Sequence, residues 1–203
     1  MTTISALFFD LGGVLLSNGW DRVSRRAVID ELGLDWDEFS DRHEFVAEAF
    51  ETGRMTLDRY SDRTVFYRDR DFTKDQFREM MLGQSRADEE ALALVGELKN
   101  SGRYLMATLN NESRELNQFR IDTFGLRRYF DVFLSSSILG IKKPDARIYR
   151  LAMNITQRKP AECLFVDDRP LNLECAADEG IRVVAFTGTG QLKQDLADQG
   201  VTW

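Results

Sequence analysis

Five short runs limit what this chain can fold into: Ala6 to Phe9, Tyr104 to Ala107, Val132 to Leu134, Cys163 to Val166 and Arg182 to Phe186. They are largely apolar, show little alternation and are bounded by polar or turn residues. A strand with one wet face alternates, whereas a run that does not alternate is buried on both faces, as in a parallel sheet. Helical patterns lie between the runs. Ala91, Leu94, Val95 and Leu98 share one apolar face, and Gly102 supplies the stop. Pro144 suits the first turn of a helix through Ile148, Tyr149 and Leu151, and Pro170 opens another that ends at Gly180. The expected fold is α/β, a Rossmann-like three-layer core around a parallel sheet.

One stretch breaks the alternation. From Trp20 to Gln84 there are helical patterns and no convincing strand. Thr73-Lys-Asp-Gln76 reads as a capping box and Thr56 as an N-cap. The insertion is far longer than an ordinary crossover of about a dozen residues. It predicts a small all-helical subdomain over 18–85, with the α/β core formed by 1–17 and 86–203.

Several functions are disfavoured. With a net charge of −7 over 203 residues, the chain lacks the basic balance that nucleic acid demands. No apolar run is long enough for a bilayer and no leader precedes the first strand, so a cytoplasmic protein with no membrane partner is expected, as monomer or homodimer. The two cysteines, Cys163 and Cys175, read as core residues. The one histidine, His43, rules out zinc sites built from several histidines within one chain, and it reads as a helix-surface residue. Carboxylates are left to carry any chemistry.

Parallel sheets bind ligands beyond the carboxyl ends of their strands. The residues there are Asp10 after the first run, Thr108, Leu109, Asn110 and Asn111 after the second, Lys142 and Lys143 before Pro144, and Asp167 and Asp168 after the fourth, with Asn172 beyond. Asp10 and one of the Asp167–Asp168 pair can share magnesium, which prefers carboxylate oxygens, water and substrate phosphate. Lys143 offsets their mutual repulsion. Thr108 offers a hydroxyl to a phosphate oxygen, and Gly12 and Gly13 allow close backbone approach.

These motifs resemble the haloacid dehalogenase-like hydrolase superfamily, in the phosphatase-like branch with a helical cap after the first motif. The carrying residues are Asp10-Leu11-Gly12-Gly13-Val14, Thr108, Lys143-Pro144-Asp145 and the "FVDDRPLN" stretch with Asp168 and Asn172. The resemblance implies that Asp10 is a nucleophile forming an aspartyl-phosphate. It implies that Asp10, the Gly12 carbonyl and Asp168 hold magnesium. Thr108 and Lys143 would contact the phosphoryl group, with Gly12, Gly13, Leu109 and Asn110 lining its site. Asp167 and Asn172 would support the others from behind. The substrate would be a small phosphate ester.

Two positions depart from the pattern. Phosphatases of this family carry a second Asp two residues after the nucleophile, where this chain has Gly12. Leu109 stands where many relatives place Asn. Three readings stay open: a magnesium-dependent phosphatase lacking the usual acid–base Asp, a weakly active or non-catalytic phosphoryl-ligand-binding protein, and a 2-haloacid dehalogenase. Trp20, Arg42, His43, Phe45, Phe66, Tyr67 and Arg68 are the residues of the helical insertion that could face a substrate.

Overall fold

A computed structural model describes residues 3–203. Its five strands are β1 (Ala6–Phe9), β2 (Leu105–Asn110), β3 (Val132–Ser135), β4 (Cys163–Asp167) and β5 (Arg182–Ala185). They form one parallel sheet in the order β3-β2-β1-β4-β5, with β1 at the centre. This is the Rossmann-like α/β architecture.

Between β1 and β2 lie α1 (Arg22–Glu31), α2 (Trp36–Glu51), α3 (Leu57–Thr64), α4 (Lys74–Leu82) and α5 (Glu89–Asn100). The rest are α6 (Arg114–Thr123), α7 (Ser136–Leu139), α8 (Ala146–Thr156), α9 (Pro170–Asp178) and α10 (Thr189–Asp198).

The missing alternation in β1 has a direct cause, because its two side-chain rows enter different cores. Leu7 and Phe9 pack with Leu94, Val95 and Leu98 of α5 and with Leu192 and Leu196 of α10. Ala6 and Phe8 pack with Ile148, Tyr149 and Ala152 of α8 and with Leu173 and Ala176 of α9. Cys163 belongs to the second cluster and Cys175 packs against it, both as free thiols. The first four helices build a third cluster around Val28, Ile29, Phe39, Phe50, Tyr60, Phe77 and Met81. Their ends obey local chemistry: Thr56 caps α3, and Thr73 with Gln76 closes the capping box of α4.

Three details differ from the sequence expectation. The second run continues past Ala107 to Asn110, because β2 pairs with β3 through Asn110 and Ser135. Neighbours on both sides hold it extended through polar residues. Pro144 lies outside the first turn of α8, which starts at Ala146; the Asp145 carboxylate accepts the Arg147 N–H and sets the boundary. His43 is buried rather than on a helix surface, at 6% exposure, stacked on Phe39 and edge-on to Tyr60.

Candidate active site

β1 delivers Asp10. Its N–H donates to the Val166 carbonyl at 2.9 Å, so β4 holds the backbone one residue past the strand. Its Oδ1 accepts the Leu11 N–H at 2.8 Å. The chain then coils tightly, with the Leu15 and Leu16 N–H groups donating to the Leu11 carbonyl. Gly13 sits at φ 81°, a conformation side chains resist. A Cβ there would run into the Asp168 carboxylate, 2.8 Å from Cγ. Glycine at this position lets the β1 loop rest against the end of β4.

That end carries two carboxylates with different surroundings. Asp167 is fully buried and saturated. It accepts from Lys143 Nζ at 2.6 Å, from Asn172 Nδ2 at 3.0 and 3.1 Å, and from the Arg169 N–H at 2.8 Å. Asp168 is partly exposed, yet its Oδ1 is buried with no hydrogen-bond partner. Lys143 Nζ also lies 3.1 Å from Asp10 Oδ1. One ammonium therefore bridges the nucleophile candidate and its buried neighbour. Asn111 fixes the backbone behind that ammonium: its amide donates to the Lys143 carbonyl at 2.8 Å and accepts the Lys143 N–H at 2.9 Å.

Oxygens of Asp10, Asp167 and Asp168 come within 4.8 Å of one another. Three carboxylates face one ammonium, so the cluster carries an excess of negative charge. Burial raises the Asp10 carboxyl above its ordinary range; Lys143 opposes the shift and Asp167 adds to it. Burial, then Asp167, raises Asp168 as well. A hard divalent cation would offset this repulsion and satisfy the orphaned Asp168 oxygen, so the donor set fits magnesium.

The second strand does not bring Thr108 to this cluster. Thr108 pairs with Phe9 inside the ladder and is fully buried, with its hydroxyl unpartnered. Leu109 packs in the α8–α9 core, and Asn110 Nδ2 donates to Asn117 of α6 at 3.1 Å. The residues past the strand, Asn111 and Glu112, line the cavity instead. The run of polar residues through Ser113 was the available signal, and the extra length of β2 shifted which of them emerge.

The cavity holds about 680 Å³ between the strand ends and the inserted helices. Asp10, Gly12, Lys143 and Asn172 line it from below, and Trp20, Arg25, His43 and Glu51 from above. Trp20 Nε1–H donates to the Tyr60 hydroxyl at 2.8 Å, and that oxygen lies 2.8 Å from His43 Nδ1. Indole only donates, so the Tyr60 oxygen accepts from Trp20 and leaves its own proton free for Nδ1. Lys142 reaches up to Glu51 at 2.7 Å and ties the two layers together.

Of the other candidates, Phe45 is exposed, Phe66 packs on Phe72 and Phe77, and Arg42 and Arg68 stack on Tyr67. Arg25, Glu51 and Glu112 were not foreseen. Nothing local in their sequence distinguishes them from ordinary helix and loop charges.

Comparison with known proteins gives the family and the fold. A family model for haloacid dehalogenase-like hydrolases matches residues 4–180. The chain is 28% identical over 169 residues to flavin mononucleotide hydrolase 1 of Arabidopsis thaliana, covering 79% of this chain and 64% of that protein. It thus spans just under two thirds of that relative's length. It is also 28% identical over 201 residues to (S)-2-haloacid dehalogenase 4A of Burkholderia cepacia, covering 93% of this chain and 85% of the other. A HAD family enzyme of Bacteroides thetaiotaomicron has the same fold, with TM-score 0.80 at 21% identity over 91% and 94% of the two chains. That enzyme has also been solved with magnesium and inorganic phosphate, where the TM-score is 0.74 at 22% identity over 90% and 93%.

Proposed function

The chain belongs to the haloacid dehalogenase-like hydrolase family, and from that premise we propose that it hydrolyses a small phosphate ester with magnesium, through an aspartyl-phosphate on Asp10. The observation that carries this reading is the pairing of Asp10 with Lys143 beside Asp168, whose Oδ1 is buried and unpartnered. A displacement at carbon by Asp10 alone gives that oxygen no task, whereas a cation for phosphate does. The magnesium and phosphate bound by the Bacteroides enzyme support the same chemistry.

Asp10 and Asp168, with the Gly12 carbonyl, are the residues that would hold magnesium, with Asp167 behind them. When bound, the cation would withdraw charge from the phosphoryl oxygens. Asp10 Oδ attacks phosphorus, and the ester P–O bond breaks. Lys143 opposes the rise that burial imposes on the Asp10 carboxyl and offers its remaining donor capacity to the phosphoryl group. Asp167, held by Asn172, anchors the ammonium. Water then attacks phosphorus, and Asp10 departs as a carboxylate. The four helices α1–α4 act as a cap over 18–85, with Arg25 and the neutral His43 facing the substrate's non-reacting part. The substrate is a soluble small molecule, and neither nucleic acid nor membrane is involved. Among the described residues, no helix is long and apolar enough to cross a membrane.

The experiment is phosphate release from a panel of phosphate esters, with and without magnesium, beside Asp10→Asn and a 2-haloacid control. Magnesium-dependent release that Asp10→Asn abolishes is the expected result. Halide release without metal would favour the reading that the Burkholderia relative represents. Ligand-induced thermal stabilisation with no turnover would favour the binding-protein reading.

A further inference from the structure

Hydrolysis of an ester needs a group that protonates the leaving oxygen and then takes a proton from water. Gly12, next to the nucleophile, has no side chain to do so. The cavity wall offers few candidates. Asp21 Oδ1 is committed to capping α1 through the Ser24 N–H at 2.8 Å. Glu51 Oε2 is paired with Lys142. His43 resists charging, because burial and the nearby Arg25 and Lys142 lower it to about 3. Glu112 remains.

Glu112 follows β2 and lines the same cavity as Asp10, Gly12 and Lys143. Its backbone is fixed: its N–H donates to the Ser136 hydroxyl oxygen at 3.0 Å, and its carbonyl accepts from Ser135 Oγ at 3.2 Å. Its Oε1 pairs with Arg120, a fully buried side chain that also donates to the Ser17 carbonyl at 2.7 Å and to Ser85 Oγ at 3.1 Å. Arg120 Nη1 lies 3.6 Å from the point where a side chain on Gly12 would begin. The guanidinium thus ties Glu112 to the place where a neighbouring acid is missing. The second oxygen, Oε2, is buried and has no partner.

We propose that Glu112 is the acid–base residue of this enzyme, supplied from the end of β2 in place of a side chain at position 12. The assignment rests on the phosphate-ester reading. In the first half-reaction Asp10 Oδ bonds to phosphorus, the ester P–O bond breaks, and the leaving oxygen takes the Glu112 proton. In the second, water gives a proton to the Glu112 carboxylate as its oxygen bonds to phosphorus. The Asp10–phosphorus bond then breaks, releasing inorganic phosphate and returning both residues to their starting states. Burial raises the Glu112 carboxyl above its ordinary range, with Arg120 pulling the other way.

The test uses Glu112→Gln, which keeps an oxygen for Arg120, on an alkyl phosphate and on nitrophenyl phosphate, whose leaving group needs no proton. With the alkyl ester, kcat/KM falls by about 10²–10⁴, the usual worth of acid–base help. With the nitrophenyl ester, the first-turnover burst survives while steady turnover drops, because phosphoenzyme breakdown lacks its base. Activity within about threefold of the parent on both esters overturns the assignment. So does equal loss of burst and steady rate, which marks a structural role. Should the variant not fold, the parent decides: alkyl and nitrophenyl esters cleaved at rates within about tenfold support an internal acid, and a deficit beyond about 10³ refutes one. No phosphate release from the parent, with or without magnesium, sinks the phosphate-ester reading itself and this assignment with it.

Discussion

Acid should loosen the four-helix unit through one side chain, and the size of the effect follows from its surroundings. His43 is enclosed by Phe39 and Tyr60, with Arg25 and Lys142 nearby, and its Nδ1 lies 2.8 Å from the Tyr60 hydroxyl oxygen. Burial first, then those two cations, lower it from 6.5 to about 3. The unfolded chain therefore binds a proton below its ordinary value that the folded protein refuses until far lower pH. Stability from this group is fully present above about pH 7 and is lost steadily as pH falls toward the folded value. At about pH 5 the loss is roughly 2 kcal/mol, from about 1.4 kcal/mol for each pH unit below the unfolded value. Urea unfolding at about pH 7.5 and about pH 5 on the parent and on His43→Gln measures it. Stability of the parent should fall by about 2 kcal/mol more than that of the variant. Parallel declines would refute the claim that His43 is held neutral in the fold.

Other perturbations reach the strand-end site. Lys143→Met strands Asp10 and Asp167 without their shared cation, and breaking a buried pair typically costs about 3–5 kcal/mol. Thermal unfolding should show a large drop, with hydrolysis lost. Gly13→Ala forces a side chain into a left-handed conformation, about 1–2 kcal/mol, and pushes the Asp168 carboxylate aside. Magnesium-dependent thermal stabilisation, clear in the parent, should vanish in this variant. Asn111→Ala removes both hydrogen bonds to the Lys143 backbone, costing about 1–3 kcal/mol in unfolding experiments at about 0.5–1.5 each. It should lower turnover more than it raises KM, because the ammonium it fixes acts on the reacting group.

The α/β core was legible because β1 and β4 are buried on both faces, and that leaves a continuous apolar run in sequence. The helical insertion was legible through its caps, since Thr56 and Thr73 bond to backbone only a few residues away. Asp10, Lys143 and the Asp167–Asp168 pair could be placed because each stands at a chain boundary marked by strand end or proline. What failed was set by distant neighbours. The length of β2 depends on pairing with β3, so Thr108 reads as a strand end but lies within the ladder. The burial of His43 depends on Tyr60 and Trp20, far along the chain. Glu112 gains its meaning only from Arg120, eight residues on and one helix away, and from the space over Gly12.

The claim that Asp10 takes the phosphoryl group before water does is tested most directly by the stereochemical course at phosphorus. A phosphorothioate ester made chiral at phosphorus with two oxygen isotopes would be hydrolysed in water carrying the third, and the configuration of the released inorganic thiophosphate read. Two successive in-line displacements, one by Asp10 and one by water, predict overall retention, whatever the lifetime of the intermediate. Inversion would mean a single attack by water and would contradict the account.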